Sequence, residues 1–65
     1  MQEYENLKKL VEEAGEDIAK AEGGNKAAST RARKKMQEIK AAAQQVRIKI
    51  LEGREEAEPA EGGQQ

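Results

Sequence analysis

The sequence predicts an all-α chain, an antiparallel two-helix hairpin of the coiled-coil type that dimerises into a four-helix bundle and carries a disordered acidic C-terminal tail. Three observations predict it. Apolar residues alternate at spacings of three and four in two separate stretches. A short Gly23-Gly24-Asn25 segment lies between them. The apolar side chains are also too small and too few for a hairpin to stand alone, because a core rich in alanine barely offsets conformational entropy.

The first element spans about residues 2–22. Tyr4, Leu7, Val11, Ala14, Ile18 and Ala21 form an a/d seam, the narrow apolar stripe of a helix packed against another helix. The turn follows. Glycine readily takes the left-handed conformation that ends a helix, and Asn25 is a good N-cap for the next one. A link this short makes the two helices antiparallel neighbours. The second element spans about residues 26–52, with Ala32, Met36, Ile39, Ala43, Val46 and Ile50 as its seam. Folding the seams together at Ile18–Ala32 also pairs Ala14 with Met36, Val11 with Ile39, Leu7 with Ala43 and Tyr4 with Val46. Large residues then face small ones in three of five layers, as a packed interface requires. The flanks agree at a nearby register, where Asp17 falls near Lys35 and Glu3 near Lys49; Ser29 fills the seam where the helices close, and Lys8 falls near Lys40 as a like-charge mismatch. The hairpin domain is expected over residues 1–52. Residues 53–65 contain no apolar side chain larger than Ala and read as a disordered tail, with Pro59 barring a longer helix.

Leu10, Ile48 and Leu51 fall outside the seam and are left for another surface. The expected core and oligomer contacts are Leu7, Leu10, Val11, Ile18, Met36, Ile39, Val46, Ile48 and Ile50. The simplest association is a homodimer with two-fold symmetry.

Composition excludes most chemistry. The chain has no Cys and no His, so disulfides, zinc sites and His-based triads are out. The carboxylates are scattered over solvated faces, whereas acid–base pairs need two carboxylates in different environments of a cleft. Gly23-Gly24-Asn25-Lys26 lacks the strand and the Gly-Lys-Ser/Thr ending of a phosphate loop. Neither catalysis, a cofactor, a metal nor a small-molecule substrate is expected. No apolar run approaches ~20 residues, so nothing spans a membrane. Met1–Asn6 is acidic and lacks the apolar stretch of a signal peptide.

The net charge of −1 hides its distribution. Residues 1–23 hold three cations against seven anions, residues 24–50 eight against one, and residues 51–65 one against five, giving −4, +7 and −4. Charge asymmetry between segments points to polyanions. Lys26, Arg33, Lys40 and Arg47 recur every seven residues and form one stripe. Arg31, Arg33 and Lys34 surround the helix near the turn and face few anions. Such a cluster at a helix start suits phosphate, with the Asn25 and Lys26 amides and the positive helix end adding to it. Without an aromatic platform or a helix-turn-helix, binding would be independent of sequence and sensitive to salt. The alternative is a structural or protein-interaction hairpin whose cations serve pairing and solubility.

The segment from Gly24 to Lys40, Gly-Asn-Lys-Ala-Ala-Ser-Thr-Arg-Ala-Arg-Lys-Lys-Met-Gln-Glu-Ile-Lys, resembles the bacterial linker-histone-like proteins, the chlamydial-type histone family. In that family Gly-Asn-Lys-Ala-Ala is followed by Thr-Arg-x-Arg-Lys and Met-Gln-x-x-Lys. Ala43-Gln44-Gln45-Val46-Arg47 is similar to its later Ala-Gln-x-x-Arg. The resemblance covers about residues 4–50 and implies a histone-like protein that binds double-stranded DNA and condenses the nucleoid in the cytoplasm. By position it assigns phosphate contacts to Lys26, Arg31, Arg33, Lys34, Lys40 and Arg47. The chain departs from the family in two places. An acidic tail stands where chlamydial members carry a Lys-rich one, and Glu22-Gly23 replaces an aromatic or basic residue before Gly-Asn-Lys. Both imply weaker DNA binding. Deleting residues 53–65 is then expected to raise affinity at low salt.

Overall fold

The computed structural model describes residues 1–57, with side chains through Gly53. Helix α1 runs Gln2–Glu22 and helix α2 runs Lys26–Ala57. The described residues contain no strand.

Helix α1 is favoured by its ends as well as its apolar periodicity. Glu3 and Glu5 occupy its first turn and Lys20 its last, which complements the helix dipole. Its C-terminus closes in a Schellman arrangement. The Asn25 amide donates to the Lys20 carbonyl at 3.0 Å and the Gly24 amide to the Ala21 carbonyl at 3.0 Å. Gly24 takes the positive φ this closure needs, +100°. Asn25 then caps α2, its Oδ1 accepting the Ala28 amide at 2.9 Å.

Helix α2 continues five residues beyond the end expected at residue 52. The helix passes through Gly53 because Arg-Glu-Glu-Ala are good helix formers and one internal glycine costs only ~1 kcal/mol relative to alanine. The rest of the expected tail, including Pro59, lies outside the described residues.

The helices close on a different stripe from the one the apolar pattern favours. The inward residues of α1 are Glu3, Leu7, Leu10, Ala14, Asp17 and Ala21, and those of α2 are Ala28, Ala32, Lys35, Ile39, Ala42, Ala43 and Val46. Each helix carries two overlapping stripes, and the hairpin uses the one that brings Ala14, Ala28 and Ala32 together. Ala14, Ala28 and Ala32 are 1%, 0% and 8% exposed and form the tightest contact, next to the turn. Small side chains let the axes approach where the short link holds them together. Tyr4, Val11, Ile18, Met36 and Ile50 remain exposed as a result. Ala28 occupies the closing position expected of Ser29, and Ser29 is exposed.

The register also differs. Asp17 pairs with Arg31 and Glu13 with Lys35. Asp17 is thus not against Lys35, and Lys49 pairs with Glu52 in its own helix instead of with Glu3. Lys8 pairs with Glu5 at 3.3 Å and sits 5.1 Å from the centre of the Tyr4 ring. The observed pairs place the start of α1 level with Val46. Helix α2 runs on past α1, so Ile48, Ile50 and Leu51 are exposed. The molecule is a slab of Cα extents 49 × 20 × 13 Å.

Candidate nucleic-acid interface

The cations of α2 divide into two groups by what they touch. On one edge of the hairpin, Arg31 Nε donates to Asp17 Oδ1 at 3.0 Å. Lys35 Nζ donates to Glu13 Oε1 at 3.3 Å and lies 3.5 Å from Glu38 Oε1. The hydrogen bond to Glu13 holds the Lys35 ammonium above its ordinary pKa of 10.5, aided by the charges of Glu38 and Glu13 and opposed by partial burial. This edge is neutralised within the chain.

The outward face of α2 differs. Lys26, Arg33, Lys34, Lys40 and Arg47 have no carboxylate within 4.0 Å among the described residues. All five are exposed. Arg47 is steadied by Gln44, whose Oε1 accepts from Nη1 at 2.9 Å. Thr30, Arg33, Lys34 and Gln37 line a shallow open depression in this face. Lys26 sits at the positive helix end, in a first turn that holds no acid.

The helical repeat explains the grouping. Lys26, Arg33, Lys40 and Arg47 lie seven residues apart, two turns each, so they stack along one line about 31 Å long. Lys34 is adjacent to Arg33 and widens the line near the turn. Arg31, the sixth residue expected at this site, lies on the opposite edge and is held by Asp17. The expectation that Arg31 faces few anions does not hold, because Asp17 stands beside it. Two of the helix-start amides are also committed, that of Asn25 to Lys20 and that of Ala28 to the Asn25 side chain. The Asn25 amide is therefore not free for phosphate.

No group of three or more metal-binding side chains clusters among the described residues. No described helix is long and apolar enough to cross a membrane.

Residues 1–56 match the family model described as histone H1-like protein Hc1. Comparison with curated proteins and with solved structures gave no match.

Proposed function

The chain belongs to the histone H1-like protein Hc1 family, and from that premise we propose that it is a nucleoid-associated protein that binds double-stranded DNA through phosphates, without reading base sequence. Family membership supports DNA binding in general terms, and the family is one of DNA-packaging proteins, not enzymes. The observation that carries the finer reading is the outward face of α2, where Lys26, Arg33, Lys34, Lys40 and Arg47 have no carboxylate partner among the described residues. A line of cations about 31 Å long matches roughly nine base pairs of duplex axis. Long flexible side chains on a convex helix reach backbone oxygens but present no rigid donor pattern to base edges. Affinity then comes from counterion release, with a logarithmic salt slope of about 0.9 per phosphate neutralised.

Self-association is the second part of the proposal. A single hairpin buries three alanines and no large side chain fully among its described residues. A second copy would supply the missing burial, complete a four-helix bundle and give one particle two cationic faces.

The test is a fluorescence titration of the full chain against several unrelated duplexes of about 20–30 base pairs at two salt concentrations. Similar affinity for every duplex and a slope near −4 to −5 are expected. No binding at ~50 mM salt, or strong preference for one duplex, would overturn the reading.

A further inference from the structure

The cations of α2 are half of a longer pattern. Thr30, Gln37 and Gln44 also recur every seven residues. They interleave with Lys26, Arg33, Lys40 and Arg47 at alternating steps of four and three. Such steps keep neighbours on one side of a helix, with Cβ atoms about 5–6 Å apart. These side chains therefore form a single line along α2, and every one of them is exposed. Each carries N–H or O–H donors, and none is acidic or apolar.

Helix packing uses none of the neutral members. The Thr30 hydroxyl and the Gln37 amide make no hydrogen bond among the described residues. Gln44 makes one, and its direction matters: Oε1 accepts from Arg47 Nη1 at 2.9 Å. That bond occupies the acceptor end of the amide and leaves its N–H groups free among the described residues. Thr30 and Gln37 border the same open depression as Arg33 and Lys34, so neutral donors and cations face one space. The opposite edge of α2 has no such arrangement, because carboxylates hold Arg31 and Lys35 there.

We infer that Thr30, Gln37 and Gln44 are phosphate-contacting residues, donating hydrogen bonds to backbone oxygens of the duplex that the neighbouring cations attract. This rests on the DNA reading above and adds what fixes the duplex on the helix. Phosphodiester oxygens accept hydrogen bonds and donate none, so a line made only of donors matches them along its whole length. Lysine is a point charge on a flexible stem and attracts from a distance. A hydroxyl or an amide acts only at hydrogen-bond distance and over a limited range of angles. Contacts of that kind set the register of a protein on a duplex without reading its bases. They carry no charge and release no counterion, so their share of the affinity does not vary with salt.

That difference in salt response is the test. Thr30→Val with Gln37→Met removes both donors while nearly keeping side-chain size, and Gln45→Met makes the same change at an exposed position off the line. Each full chain is titrated with the same duplexes at two salt concentrations, and helical circular dichroism is recorded on the same samples. The double variant is expected to keep its helical signal and lose about tenfold in affinity at both salt concentrations, with the slope unchanged. If its helical signal falls, the two single changes are read in the same way, each at about threefold. Gln45→Met is expected to match the native chain. Native-like affinity without the donors, an equal loss in Gln45→Met, or a loss that comes with a smaller salt slope would overturn the inference and leave DNA binding standing. Gln44→Met keeps the charge of the line and is expected to cost about threefold with the same slope. An unchanged affinity there would overturn the assignment of Gln44. A native chain that binds no duplex would overturn the DNA reading and this inference with it.

Discussion

Arg31 and Arg33 are two residues apart on the same helix, yet they belong to different regions. Arg31 lies on an edge where each cation meets a carboxylate, and its guanidinium is 3.0 Å from Asp17. Arg33 lies on the outward face, where five cations meet none among the described residues. The residue type is identical and the availability is not. A cation count within a basic segment therefore overstates the surface open to a polyanion. What matters is which side of the contact line each cation occupies, since one step along a helix moves a side chain by about 100°.

The largest expected effect removes the outward face. Replacing Arg33, Lys34, Lys40 and Arg47 by Gln should lower duplex affinity by at least ~100-fold at ~50 mM salt and reduce the salt slope by three to four units. Helical circular dichroism should remain, since none of the four is buried or ion-paired. A binding loss much smaller than this would erase the distinction between face and edge.

Next in size is the contact that sets the two regions apart. Ala28 has no exposed surface, so Ala28→Leu should overpack the closing point and destabilise the hairpin by about 1–3 kcal/mol in thermal or urea unfolding. The same change at the exposed Ala27 should stay within about 0.5 kcal/mol.

A smaller effect converts edge into face. Asp17→Asn releases Arg31 and removes one negative charge, so DNA affinity at low salt should rise about two- to fivefold. Stability should fall by no more than ~1 kcal/mol, because the pair is partly exposed. If affinity does not change, Arg31 was not withheld by Asp17.

The smallest effect is in pH. Lys35 has a raised pKa in the folded chain because Glu13 and Glu38 favour its ammonium. Its contribution to stability is therefore complete below the ordinary value of 10.5 and is lost as pH rises through the higher folded value. Unfolding curves of the native chain and of Lys35→Gln should run parallel up to about pH 10 and converge above it.

Much of the fold is legible residue by residue. The Gly23-Gly24-Asn25 turn can be read because only glycine takes φ +100° without strain and Asn25 has the short acceptor a cap needs. The contact stripe is less legible. Leu7, Ala14 and Ala21 belong to both candidate stripes of α1, so periodicity alone cannot decide between Val11 and Leu10 as the next inward residue. The outer stripe looks like the core because Tyr4, Ile18 and Met36 are apolar where the inner stripe has Glu3, Asp17 and Lys35. Ala28, which lies outside the expected seam, is the signal for the other choice, since a small side chain there lets the two backbones come close. The candidate site was legible as a seven-residue series of cations, and its boundary was not. Excluding Arg31 depends on a register that two ion pairs report and that the apolar pattern leaves ambiguous.

The sequence by itself determined the two helices, the turn between them, the stripe of cations and the likeness of Asn25–Lys35 to a histone-like family. All of these arise from local periodicity, capping and residue order. Only the tertiary structure decided which stripe is inside, which large apolar residues stay exposed and which cations are already neutralised. Those outcomes depend on the rotation of one helix against the other. A rotation of a fraction of a turn leaves every local preference satisfied while exchanging Val11 for Leu10 and placing Arg31, but not Arg33, beside a carboxylate.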